Sequence, residues 1–160
     1  MASSRDEEFL AELASALSET KLDAVVVGNT ASVLHGAPVM TQDVDLLVRD
    51  TKPNRAKLDR LAARLGGSKP QPISELANVV RIHGTLVPVD VLFDSIPGRL
   101  SFASVKSRAS KMPAGRNSLT VAALEDVIRS KEAASRDKDV AALPILRATL
   151  ATLKQLKRVK

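Results

Sequence analysis

Apolar residues recur along this chain at helical and at strand spacing by turns, and that alternation divides it into elements. Leu10, Leu13 and Leu17 recur at helical spacing, and Ser4 and Glu7 stand at capping-box spacing, so residues 4–20 are expected to form an amphipathic helix. Leu22 to Val27 is a short β-branched run that predicts a strand. Gly28 ends it, and Asn29 to Leu34 reads as a short helix closed by Gly36. Val44 to Val48 is a second strand, and Pro53 opens a helix that runs to about Leu65 and stops at Gly66-Gly67. Pro70 and Pro72 make 68–74 a loop. Asn78–His83 and Leu86–Phe93 read as strands joined by a hairpin turn at Gly84-Thr85. The basic stretch Ser95–Asn117 is mixed, with one short helix and one or two short strands. Thr120–Ala134 is expected to be a helix with Leu124, Val127, Ile128 and Lys131 along one side. Arg136–Leu143 continues helically, and Pro144 is expected to kink or restart the helix.

This order implies an α/β (α+β) domain with a small mixed β-sheet flanked by helices. One domain spans 1–160: a core of about 22–143, an N-terminal helix over 1–20 and a basic C-terminal helix over 144–160. Phe is the only aromatic type and occurs three times, so Leu, Val, Ala and Ile must fill the core. Scarce aromatics also argue against a module that stacks bases on rings. The absence of Cys excludes a disulfide scaffold and a thiolate zinc site. No apolar run approaches a membrane span, and the first residues lack the apolar core of a secretory signal, so a cytoplasmic protein with no membrane partner is expected. The net charge of +6 favours an anionic partner such as a nucleotide or nucleic acid.

Three acids stand out against this background. Asp43 and Asp45 lie two apart at the start of a strand, so their carboxylates share one face. Asp-x-Asp is weak alone, because eleven Asp make one such pair expected by chance, and Asp137 and Asp139 form another. Its flanks strengthen it: Val44, Leu46, Leu47 and Val48 are apolar, and carboxylates buried among them need a cation or donors. A pair of this kind suits Mg²⁺ or Mn²⁺, which favour oxygen ligands. Asp90 likewise interrupts the apolar run from Val87 to Phe93, and would be a third metal ligand or the base for an incoming hydroxyl. Gly28, Asn29 and Thr30 end a strand and open a helix, a place where backbone N–H groups can meet a phosphate. Lys131, on the apolar side of its helix, needs an anion beside it or snorkels at the helix end.

Together these segments resemble the nucleotidyltransferase fold shared with DNA polymerase beta, and within it the small bacterial branch of AbiEii-type toxins and minimal nucleotidyltransferases. The resemblance rests on Gly28 followed by Asp43-Val44-Asp45, on Asp90 as the later acid, and on His35, Gly36, Pro38 and Thr41 between them. The segment from Leu124 to Asp139 is similar to the family's Lys-x-x-Ala-x-Arg-x-Lys-Asp stretch. The resemblance implies transfer of a nucleoside monophosphate from a nucleoside triphosphate to a hydroxyl. Asp43, Asp45 and Asp90 would hold Mg²⁺ or Mn²⁺, Lys131 would face the triphosphate, and Asp139 would orient Lys131 or the helix pair. It suggests tRNA or another RNA as acceptor, with a protein hydroxyl or a small molecule as alternatives, and a toxin with a cognate antitoxin. Asn29 stands where the family has Gly or Ser, and Val39 where Arg often follows the Pro. Those departures support the alternative of a catalytically degenerate antitoxin or partner-binding subunit. A third reading, a non-catalytic nucleic-acid binder, would use Arg99, Lys106, Arg108, Lys111, Arg116 and the tail Lys154, Lys157, Arg158 and Lys160. His35 is expected to pack at a helix end.

Overall fold

A computed structural model describes residues 4–75 and 78–159. The chain begins with helix α1 (Ser4–Thr20), followed by strand β1 (Ala24–Val27), helix α2 (Gly28–Leu34), strand β2 (Val44–Val48) and helix α3 (Lys52–Arg64). Strands β3 (Gln71–Pro72), β4 (Val79–Ile82) and β5 (Val89–Phe93) come next. Strands β6 (Ser95–Ile96) and β7 (Leu100–Ser101), helix α4 (Phe102–Arg108), and strands β8 (Ser110–Ala114) and β9 (Asn117–Val121) follow. Helices α5 (Leu124–Ala134) and α6 (Asp137–Val159) end the described chain.

Seven strands form one mixed sheet in the order β3-β4-β5-β2-β1-β9-β8, and β6 and β7 pair separately. β2 runs parallel to β5, and β1 parallel to β9; the remaining neighbours are antiparallel. All four residues of β1 are buried, as expected of a central strand covered on both faces. The core is Val, Leu, Ala and Ile with Phe9, Phe93 and Phe102, as the composition requires.

Several expectations need correction. The stripe on α1 is centred on Leu13, but Phe9, Ala14 and Ala16 fill it out, while Leu10 and Leu17 are only half-buried. Gln71 and Pro72, expected in a loop, form an edge strand, where a proline's missing N–H can face away from its neighbour. The link between β4 and β5 is a six-residue loop over 83–88, not a two-residue turn at Gly84-Thr85. The helix expected from Thr120 begins at Leu124. Leu119 and Val121 are instead buried on β9, and Ala122 N–H donates to the Val26 carbonyl at 2.9 Å, which continues the sheet. Strand pairing overrides helical spacing there.

α6 runs unbroken through Pro144. Pro144 lies exposed, so the carbonyl its ring leaves without an N–H partner can turn to water. Thr51 caps α3, its hydroxyl accepting from Asn54 N–H at 3.2 Å, and Pro53 sits in the first turn. The last tail residue, Lys160, lies outside the described residues.

Candidate active site

The sheet register places the three acids together. Asp45 is the partner of Asp90 across the parallel β2–β5 pair, so both side chains leave the sheet on one face. Asp43, in the bend just before β2, comes to the same side, since the Arg81 guanidinium reaches both it and Asp90. Antiparallel β4 sets Arg81 opposite Asp90. The Arg81 guanidinium donates from Nε to Asp90 Oδ1 at 2.6 Å and from Nη2 to Asp90 Oδ2 at 2.9 Å. Nη2 also reaches Asp43 Oδ2 at 3.4 Å. These contacts hold Arg81 firmly protonated, the hydrogen bond to Asp90 contributing most.

Asp45 differs from the other two. No ion pair holds it among the described residues. Its acid is pushed up to about 6, first by burial and then by the charges of Asp90 and Asp43, with Lys131 and Lys138 opposing. Gly28 leaves room for this carboxylate. Its φ is +66°, and a Cβ there would lie 2.4 Å from Asp45 Oδ2. The close approach that a glycine permits is thus made here by a carboxylate.

A cleft of about 680 Å³ opens beside Asp45. Gly28, Asn29, Asp43 and Asp45 form one wall, and Lys131, Arg136, Lys138 and Asp139 face them. Leu92, Ile96, Pro97 and Val127 add an apolar surface. The basic wall is built at the α5–α6 corner, where Ser135 takes a left-handed conformation with φ +52°. Asp139, buried in the first turn of α6, accepts the Arg136 backbone N–H at 3.2 Å, as an acid three residues past a helix cap does. It also accepts from Arg136 Nε at 2.7 Å and lies 3.5 Å from Lys131 Nζ. Burial opposes its charge, but the hydrogen bonds and the two cations outweigh that and hold its carboxyl below the usual range. One buried acid therefore fixes two cations at the rim of the cleft.

The remaining sequence candidates fall elsewhere. Thr30 is buried outside this cleft, and its hydroxyl donates to the Asp43 carbonyl at 2.9 Å, so it steadies the loop that carries Asp43. Asn29 donates from Nδ2 to the Met40 carbonyl at 3.3 Å, while its buried Oδ1 has no partner. His35 packs at the end of α2, with Nε2 2.8 Å from the Ala122 carbonyl. Asp90 lies beneath Arg81 rather than on the cleft surface. Arg108, one of the basic residues of the stretch before β9, pairs with buried Asp126 at 2.9 Å.

Arg81 was missed in the sequence, as were Arg136 and Lys138 as lining residues. The signal for Arg81 was its place between buried Val80 and Ile82 in a strand; only the hairpin register, with its long loop, reveals that it faces Asp90.

Asp43 and Asp45 offer hard oxygen donors of the kind a divalent cation takes, and Mg²⁺ is commonly held by one or two carboxylates with water and phosphate oxygens completing its shell. As arranged, no three acidic or histidine groups among the described residues are close enough to enclose an ion. The guanidinium between Asp43 and Asp90 stands where a cation would. Asp45, half-buried without a counter-charge, is the acid that lacks one. The residues fit a metal at Asp43 and Asp45.

A family model described as "Nucleotidyl transferase of unknown function (DUF2204)" matches residues 6–159, and the chain belongs to that family. No curated protein matches it. Among solved structures, the solution structure of the antibiotic-resistance factor ANT(2'')-Ia is similar at TM-score 0.65 and 13% identity, covering 99% of this chain and 94% of that one. The crystal structure of ANT(2'')-Ia in complex with adenylyl-2''-tobramycin gives TM-score 0.62 at 15% identity over 89% and 88%. TM1012 from Thermotoga maritima gives 0.56 at 17% identity, covering 88% and 89%. At such identities the likeness shows a common fold. The expected α/β architecture is that of these neighbours, and the chain is a nucleotidyltransferase by family. No helix among the described residues is long and apolar enough to cross a membrane.

Proposed function

We propose, with that family membership as the premise, that this protein moves a nucleoside monophosphate from a nucleoside triphosphate to a hydroxyl acceptor. An acceptor oxygen bonds to the α-phosphorus, the bond from that phosphorus to the bridging β-phosphate oxygen breaks, pyrophosphate leaves, and the hydroxyl proton passes to a base or to water. The observation that carries the reading is Asp45: half-buried beside Asp43 and Asp90, ion-paired to no side chain among the described residues, and lining, together with Lys131, Arg136 and Lys138, a cleft large enough for a nucleotide.

Asp43 and Asp45 are the residues that would hold Mg²⁺ or Mn²⁺, and the ion would neutralise charge developing on the transferred phosphate. Asp90, on the same face, is held by the Arg81 fork, so the ion is given to Asp43 and Asp45 alone. Lys131, Arg136 and Lys138 meet the triphosphate, and Asp139 fixes the first two in place. Gly28 and Asn29 border the nucleotide, and Leu92, Ile96 and Pro97 offer an apolar surface to its base. Catalysis on this plan is positioning and charge stabilisation.

The acceptor we favour is an RNA 3′ hydroxyl, tRNA included, which the net charge of +6 suits. A role as a toxin held by a partner antitoxin is a separate part of the proposal, and growth arrest on expression of the chain alone would support it. The test of the activity is incubation with each nucleoside triphosphate labelled at the α-phosphate, Mg²⁺, and either total RNA or small hydroxyl compounds. Labelled RNA supports the whole reading. A labelled small molecule replaces RNA as acceptor. No labelled product in any arm removes the activity.

A further inference from the structure

Arg81 is a permanent cation set among the acids that this account gives to a metal. Strand pairing fixes it opposite Asp90, and both of its contacts to Asp90 are short. Its neighbours Val80 and Ile82 are buried, so its backbone is anchored in the sheet. A guanidinium stays protonated at any working pH, so this charge does not come and go with conditions. The bidentate fork occupies both Asp90 oxygens, while the long contact at 3.4 Å leaves Asp43 more loosely held and Asp45 is untouched. Three carboxylates less one guanidinium leave two negative charges, which one divalent ion balances.

We propose that Arg81 is a built-in counter-ion that withholds Asp90 from metal. The protein then binds one divalent ion, at Asp43 and Asp45, and removal of the guanidinium admits a second ion at Asp90. This rests on the reading of Asp43 and Asp45 as a metal site. It makes Arg81 a positioning residue that sets metal number, and it removes Asp90 from the ligands of the first ion. The side chain is about one-third exposed, so a shorter residue would leave a solvent-connected place beside Asp90.

The experiment counts Mn²⁺ bound per chain from the loss of the free-ion electron paramagnetic resonance signal, without nucleotide and then with ATP. Nucleotide-free wild type should bind one ion and Arg81→Gln two, whereas Arg81→Lys, which keeps the charge, should bind one. Arg81→Gln binding a single ion with unchanged affinity overturns the proposal, as does nucleotide-free wild type binding two. Where Arg81→Gln fails to fold, Asp90→Asn decides: it keeps Arg81, and should retain one ion with affinity within about twofold of wild type. Loss of that ion would make Asp90 a ligand and sink the idea. Wild type binding no Mn²⁺, with or without ATP, removes the metal site itself and is thereby distinguished from failure of the Arg81 assignment alone.

Discussion

Gly28 and Asp45 are packed so closely that a single added carbon on the glycine would overlap the carboxylate, 2.4 Å from Oδ2. Gly28→Ala therefore strains the backbone, at about 1–2 kcal/mol for a left-handed non-glycine residue, and pushes Asp45 aside. A shift of about 1 Å in a reacting group costs on the order of 10²-fold in rate. Nucleotidyl transfer should fall by that order while the protein still melts cooperatively. Transfer at the wild-type rate in Gly28→Ala would show that the position of Asp45 does not matter.

The raised acid of Asp45 predicts an inverse dependence of metal-free stability on pH. Its acid lies at about 6 when folded, against 3.8 for an ordinary aspartate, so the folded state binds the extra proton between those values. Stability then declines as pH rises from about 4 to 6, and the cost is fully present above 6. The shift corresponds to about 3 kcal/mol at most. Asp45→Asn should raise the melting temperature of metal-free protein at pH 7.5, and the gain should vanish near pH 4. Saturating Mg²⁺ should reduce the difference at pH 7.5 by stabilising wild type. An Asp45→Asn variant no more stable than wild type at pH 7.5 contradicts the burial of an uncompensated charge.

Asp139 works in the opposite direction. Its carboxyl is held below the usual range, so its contribution is present at neutral pH and is lost as pH falls below 3.8 through the folded value. Asp139→Ala leaves Lys131 without its partner and loosens the α5–α6 corner. Loss of a buried partner costs about 3–5 kcal/mol, the lower end applying here because Arg136 is largely exposed. Urea unfolding at pH 7 measures this. A loss below about 1 kcal/mol would reduce the Lys131–Asp139–Arg136 cluster to the worth of a surface ion pair.

Lys131 should show its role in kinetics more than in stability. Lys131→Met keeps the aliphatic stem and removes the charge facing the cleft. Transfer should fall by about 10²-fold, the scale for one lost electrostatic contact in the transition state. An unchanged rate and KM for the triphosphate would leave Lys131 only its contact with Asp139.

Much of this arrangement was legible in the chain because single strands announce themselves. β2 was read with its observed bounds, since Val44 to Val48 is an uninterrupted apolar run around one acid. Strand spacing sets Asp43 and Asp45 on one face, although Asp43 lies in the bend before β2 and not in the strand. That Asp90 joins them depends on β5 lying beside β2 in register, which sequence spacing suggests but cannot fix. Arg81 was hidden because its meaning is a pairing across six loop residues. Arg136 and Lys138 were seen only as part of a family-like stretch; the left-handed Ser135 that turns them toward the cleft has no marker such as glycine. The start of α5 was misplaced because Val121 stands three residues before Leu124, at helical spacing, and only β1 beside it claims it for the sheet.

The most direct test compares ATP labelled at the α-phosphate with ATP labelled at the γ-phosphate, in wild type and in Asp43→Asn, with and without Mg²⁺. Only the α label should reach the acceptor, pyrophosphate should appear in equal amount, and Asp43→Asn or omission of Mg²⁺ should abolish both while the fold persists. Transfer of the γ label, or undiminished α-label transfer by Asp43→Asn, would contradict the proposed reaction.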